Sequence, residues 1–367
     1  MSSSGSSHSG VWIWLVVTFV YFAGLASGAA AWAAIFRTAQ ARWTPVINRL
    51  GHSMLWFLLL MFGLLVLLLA GLREYAPWTA HAVAGKEAWL NARFMIVREV
   101  LVLGLMLLAF FLMARWSLSA DAKRARGEEI TRPDHYRLNA VAIAGVYLYC
   151  IAMSLVSWDF VMSLSPEWVS TMFAPYYFCT NLYVGMAALI LMAGWLRDRP
   201  EAQPHLRPQQ FHDMGNLLLG FSLFNMGLFF AQYLTIWYGN IHVETQFLIV
   251  RYLRGSWPYL GWTAFTLGYA IPFMLLQSRT LKRNPRMLMP VAALAVVGVA
   301  VERYVLIAPS LQPHASTTAV GPGLIWLASG TLFVGLAIGF LRRYPLVSSA
   351  DEALGELETP ERMERGL

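Results

Sequence analysis

Charge is what this chain has least of. Only 13% of its 367 residues are Asp, Glu, Lys or Arg, about half the roughly 25% usual in a globular protein. With 58% hydrophobic residues and a mean hydropathy of +0.54, there are more apolar side chains than a globule can hide. That excludes a soluble enzyme and leaves a lipid bilayer as the surrounding medium. Cysteine is almost missing too: Cys150 and Cys179 stand alone inside apolar segments. With no CxxC, no CxxCH and no metal-ligand spacing, nothing in this chain supports a disulfide framework, a zinc or iron–sulfur site, or an attached c-type haem. Lysine is equally scarce, 3 against 24 Arg, and the net charge of +7 is scattered through short loops. It therefore reads as topology and not as a nucleic-acid surface. The first ten residues carry no Lys or Arg, and the apolar run after them is too long for a signal-peptide core, so a retained first span is expected.

What the chain does have is apolar length. A hydrocarbon core about 30 Å thick needs about 20 helical residues. Nine segments of that size occur, at 11–36, 52–72, 94–114, 138–162, 172–196, 211–238, 257–277, 287–308 and 323–341. The expected fold is all-α, a polytopic transmembrane helical bundle of about nine spans. It divides into an outer tail (1–10), the bundle (11–341) and a cytoplasmic tail (342–367). Alternate loops plus the C-terminal tail carry 20 Lys/Arg and the opposite side 6, so positive loops place the N-terminus outside and the C-terminus in the cytoplasm. The tail from Ser348 to Leu367, with six acids and two Arg, reads as a solvated or weakly helical end.

Two small-residue motifs, Gly24-x-x-x-Gly28 and Gly335-x-x-x-Gly339, predict close helix neighbours for spans one and nine. Span six carries polar and small residues on two opposite stripes. One contains Asp213, Asn216, Gly220, Gly227 and Thr235, and the other Ser222, Asn225 and Gln232. Such a helix is expected at the centre of the bundle or between two subunits.

Ionisable groups inside spans are costly and are the candidates for function. On the expected outer side lie Arg98 and Glu99, Asp159, His242 with Glu244, and Glu302 with Arg303. On the inner side lie His52 and the pair His212–Asp213. These carboxyls and histidines form candidate proton-relay stations, with Asn225 and Gln232 between them. Arg98–Glu99 reads as a self-compensating pair, Asp159 as a carboxyl that needs a partner from another helix, and Asp213 as a helix cap. A haem b held by two histidines would have only His52 and His212 near spans, both at the inner end.

The run Trp158-Asp159-Phe160-Val161-Met162-Ser163-Leu164-Ser165-Pro166-Glu167-Trp168-Val169-Ser170-Thr171 resembles the Asp-x-x-Met-Ser-Leu-x-Pro-x-Trp-x-Ser-Thr segment of NrfD-like membrane subunits of quinol oxidoreductases. A second run, from His212-Asp213-Met214-Gly215-Asn216 to Gln232-Tyr233-Leu234-Thr235-Ile236-Trp237-Tyr238-Gly239-Asn240, looks like the smaller NrfD-like subunit of bacterial alternative complex III. Pro272-Phe273 and Arg279-x-x-Lys282-Arg283-Asn284-Pro285-Arg286 continue the likeness. The resemblance spans about 11–309, and the sequence departs from it at Gly268, where a histidine is expected, and at 241–244, which lacks one acid.

The resemblance implies a subunit of a quinol:cytochrome c (or other acceptor) oxidoreductase that anchors the complex and either conducts protons or contributes to quinone binding. It implies no metal or redox centre in this chain, with iron–sulfur clusters and c-type haems carried by partners. Those partners are a second NrfD-like membrane subunit, an iron–sulfur/molybdopterin-type subunit and c-type cytochromes, in a bacterial cytoplasmic membrane. Two competing readings are a secondary transporter, which predicts inverted repeats that the sequence does not display, and a purely structural membrane anchor.

Overall fold

A computed structural model describes residues 4–80, 83–253, 255–311 and 320–353. Every regular element among them is helical, as it must be where no water is available to satisfy the backbone. Helix α1 (Ser4–Thr38) is followed by α2 (Pro45–Ser53), α3 (Leu55–Ala70) and the short α4 (Leu72–Tyr75). Next come α5 (Ala92–Ala125), α6 (Arg132–Phe160), α7 (Phe173–Leu196) and α8 (Pro208–Gly239). The remainder is α9 (His242–Tyr252), α10 (Trp257–Phe265), α11 (Ile271–Leu275), α12 (Arg279–Arg283), α13 (Pro285–Leu311), α14 (Val320–Arg343) and α15 (Ser349–Glu352).

Among the described residues, eight helical stretches are long and apolar enough to cross a membrane, α2 and α3 together forming the second. The expected seventh span is built differently. α10 and α11 are joined by a π-helical turn, Thr266–Ala270, into one interrupted run. Pro272 supplies the reason: it lacks an N–H and crowds the carbonyl four residues back, that of Gly268. The freed carbonyl is taken up by the Tyr183 hydroxyl at 2.6 Å. The chain is thus a multi-pass membrane protein.

Caps set several boundaries. The Asn91 side chain accepts the amides of Arg93 and Phe94, at 3.0 and 3.3 Å, to start α5. Asp134 accepts the Thr131 amide and hydroxyl to start α6, and Asn240, at φ 44°, ends α8. Both α5 and α6 run well beyond their apolar cores, so the connection between the expected third and fourth spans, 115–137, shrinks to six residues, 126–131. Charged residues continue a helix readily once it is nucleated, and only the bilayer limits the apolar stretch.

α1 and α7 form the centre, and most of both helices is buried. Their contact depends on glycine. A Cβ on Gly28 would lie 2.0 Å from the Asn181 carbonyl oxygen and one on Gly185 2.4 Å from the Ala29 nitrogen. Gly24 likewise faces the Asn181 side chain. The first small-residue motif therefore has its predicted neighbour, whereas Gly335 has open space and Gly339 meets only Trp56 at 3.4 Å.

α8 corrects an expectation within this chain, since it lies at the rim and not at the centre. Met214, Leu218, Ser222, Asn225, Gln232 and Ile236 are buried, while Asn216, Gly220, Gly227 and Thr235 on the opposite stripe are exposed. The tail is corrected as far as Ala353: Leu346, Ser348, Ala350, Asp351 and Ala353 are buried against the bundle. The tail's remaining residues, 354–367, lie outside the described residues, as do 1–3.

Candidate functional site

The first cluster begins two turns into α5. Arg98 grips Asp159 of α6 with two parallel bonds, Nε to Oδ2 at 2.6 Å and Nη2 to Oδ1 at 2.5 Å. Its third nitrogen, Nη1, donates to the Trp89 carbonyl at 2.9 Å. The guanidinium lies 4.0 Å above the Trp89 ring and 4.8 Å from that of Phe94, and the Trp89 indole donates to Asp159 at 3.2 Å. Both charged groups are buried, and this planar fork is the geometry in which a buried pair compensates its desolvation best.

Asp159 thus has the partner on another helix that its isolation in sequence required. The expected Arg98–Glu99 pair is not formed, because all three Arg98 nitrogens are engaged by Asp159 and the Trp89 carbonyl. Glu99 is instead fully buried, with neither carboxyl oxygen hydrogen-bonded. The Tyr75 hydroxyl and Trp78 indole are buried and unpartnered as well. The Arg98 guanidinium is thus committed to Asp159 and Trp89, and Glu99 is left without a hydrogen-bond partner.

The second cluster joins four helices. Glu302 of α13 accepts the hydroxyl of Tyr176 from α7 on Oε1 and that of Tyr269 from the π turn on Oε2, the latter at 2.9 Å. Arg303 lies beside it, Nη1 to Oε1 at 3.6 Å, donates to Asn181 at 3.1 Å and sits 4.4 Å from the Tyr177 ring. From Tyr269 a weaker run of polar contacts continues to Thr180 at 3.4 Å and on to Asn225 of α8 at 3.3 Å. The close approach of Gly268 to Gly298, where a Cβ would lie 2.1 Å from the Gly268 nitrogen, lets the π turn press Tyr269 onto α13. Gln232 is buried two turns along the Asn225 face but forms no hydrogen bond among the described residues.

A third cluster ties the tail to the opposite ends of the helices. Arg37 in the last turn of α1 donates to Asn139 at 2.7 Å, to the Ala350 carbonyl at 2.9 Å and to Asp351 at 3.0 Å, and its Nη2 lies 2.6 Å from His135 Nδ1. Arg49 of α2 pairs with Asp121 of α5, which also accepts the Ser349 amide at 2.9 Å. His52 is buried on the same short helix as Arg49, its Nδ1 unpartnered.

The remaining candidates lie apart from these clusters. His212 sits 3.5 Å from Asp213 and 3.3 Å from Asn216 on the flank of α8. Asp213 is not a cap, because α8 starts at Pro208 and the Gln210 side chain accepts the Arg207 amide at 3.1 Å. His242 opens α9, exposed, with the Gln246 amide at 3.4 Å. Glu244 is half-buried and bonded to no member of either carboxyl cluster. His52 lies on α2 and His212 on α8 with no contact between the two rings, and no group of three or more His, Cys, Asp or Glu arranged for a metal occurs among the described residues.

Sequence reasoning overlooked Tyr176, Tyr177, Asn181 and Tyr269, and the whole Arg37–Asp351 cluster. The signal for the first group was present, since Tyr176–Tyr177 and Thr180–Asn181 repeat a polar pair four residues apart inside an apolar run. Arg37 and Arg49 were counted as loop charges that only set orientation.

A family model described as polysulphide reductase, NrfD, matches residues 2–314. No curated protein matches the chain.

Proposed function

The chain belongs to the polysulphide reductase NrfD family, membrane subunits of quinone-linked oxidoreductase complexes, and from that premise we propose that it is the smaller NrfD-like subunit of an alternative complex III-type quinol:cytochrome c oxidoreductase. In this reading it anchors the electron-transfer subunits and conducts protons. The observation that carries the proton role is Glu302, buried at 3% exposure and held by two tyrosine hydroxyls beside Arg303. A carboxyl placed so deep is costly unless it works. The polar run through Tyr269 and Thr180 gives its proton a route towards α8.

Asp159, held by Arg98, forms the outer station, with the unpaired buried carboxyl of Glu99 at the same end of the bundle. Of the remaining candidates, His212–Asp213, His242, Glu244 and His52 gain no support as relay members from their partners. Gln232 and Asn225 face inward, and Asn225 joins the polar run.

For quinone, the chain offers a cleft of about 350 Å³ lined by Trp89, Trp158, Trp168, Ser163 and Lys86. Its aromatic walls fit a flat ring, and Trp89 connects it directly to Asp159. The iron–sulfur clusters and c-type haems belong to partner subunits, a second NrfD-like subunit completes the membrane domain, and the termini take the orientation set by the loop cations.

The test is the purified complex in sealed vesicles, with quinol oxidation and proton release measured together. Glu302→Gln and Asp159→Asn are expected to lower proton release per electron while the complex still assembles, and Asp213→Asn to leave it unchanged. If both buried variants assemble and release protons normally, the relay is wrong and the chain is a structural anchor.

A further inference from the structure

A cleft of about 240 Å³ opens where α1 and α5 end and α6 begins, lined by Arg37, Lys123, Asp134, His135 and Arg137 together with Trp116 and Leu138. Liquid water occupies about 30 Å³ per molecule, so the space corresponds to about eight waters, or to one phosphodiester with part of its glycerol. The lining is amphipathic in order. Trp116, Ile130, Leu138 and Ala120 give apolar wall, and the cations come from three different helices.

The cations are not all spent. Lys123 is chelated by Asp134, at 2.8 and 2.7 Å, and Arg37 by Asp351, but Arg137 is exposed and forms no ion pair among the described residues. His135 is 7% exposed and its Nε2 has no partner. With two acids against three cations the site keeps one positive charge. Asp351, seated on Arg37 at the edge of the cleft, shows that an oxyanion fits this geometry. Further along the same two helices, α5 and α6 expose apolar side chains, including Phe111, Leu108, Ile143 and Tyr147.

We infer that this cleft binds the phosphodiester headgroup of an anionic membrane lipid, with Arg137 on the phosphate and the acyl chains lying along the groove between α5 and α6. A free phosphate shares the charge but makes no use of the apolar walls. Basic pockets between helix ends are where anionic headgroups gain both charge and depth.

Native mass spectrometry of the full-length protein in mild detergent tests this, with phosphatidylglycerol, phosphatidylcholine or inorganic phosphate added. The wild type should retain phosphatidylglycerol over phosphatidylcholine. Arg137→Gln should lower retention by about tenfold, the worth of one charge-assisted hydrogen bond. Ser119→Glu, which sets a carboxylate on the exposed rim without touching the core, should do the same. Unchanged retention in both variants, or equal retention of the zwitterionic lipid, overturns the site. Displacement of phosphatidylglycerol by millimolar inorganic phosphate overturns the lipid and leaves a plain phosphate site.

Discussion

Breaking the Arg98–Asp159 fork from either side should cost more than removing it whole. Asp159→Leu leaves a guanidinium at 7% exposure whose best acceptors are gone, and losing one partner of a buried pair costs about 3–5 kcal/mol. The Trp89 carbonyl and ring still hold Arg98, which places Asp159→Leu near the lower end, about 3 kcal/mol. Arg98→Met is worse, about 5 kcal/mol, because Asp159 is then left beside the equally buried Glu99 with only the Trp89 indole as donor. The double variant removes both desolvation costs and leaves only the Trp89 carbonyl and indole without partners. At about 1 kcal/mol each these cost about 2 kcal/mol, less than either single change. The assay is the midpoint of denaturant-induced unfolding in mixed micelles for wild type, both singles and the double. If the double loses the sum of the two singles, the pair is not coupled and the reasoning fails.

Other substitutions check the packing. Gly28→Ala and Gly298→Ala drive a Cβ to 2.0 Å from Asn181 O and 2.1 Å from Gly268 N, and each should prevent recovery of folded protein. Gly220→Ala, with nothing within 4 Å, should be neutral or stabilise by roughly 0.5–1 kcal/mol; size-exclusion yield and melting separate the three. Asp351→Ala should cost about 3 kcal/mol by leaving Arg37 without its carboxylate, with the loss read as a lower melting temperature and faster proteolysis after Arg343. Tyr269→Phe removes one of the two hydroxyl donors to Glu302 and should slow proton release while leaving assembly intact. Proton release in Tyr269→Phe equal to wild type would show that the polar run carries no traffic.

Composition, apolar run length and loop cations were enough to determine the fold class, because a bilayer permits few alternatives to apolar helices of about 20 residues. They also identified Asp159, Glu99 and Glu302 as the intramembrane acids to explain, since any charge in such a segment stands out. Which groups meet was decided only by tertiary structure. Arg98 turns to α6 and not to its sequence neighbour Glu99, Glu302 is met by tyrosines from α7 and the π turn, and Arg37 and Arg49 leave the loops to pair with Asp351 and Asp121. Side-chain direction on a helix follows from position, but the partner across the gap depends on how helices are set beside one another. Here that setting rests on glycine contacts between α1 and α7 and between α13 and the π turn. Single-sequence periodicity marks both polar stripes of α8, and only the packing of the neighbouring helices decides that one is buried and the other exposed.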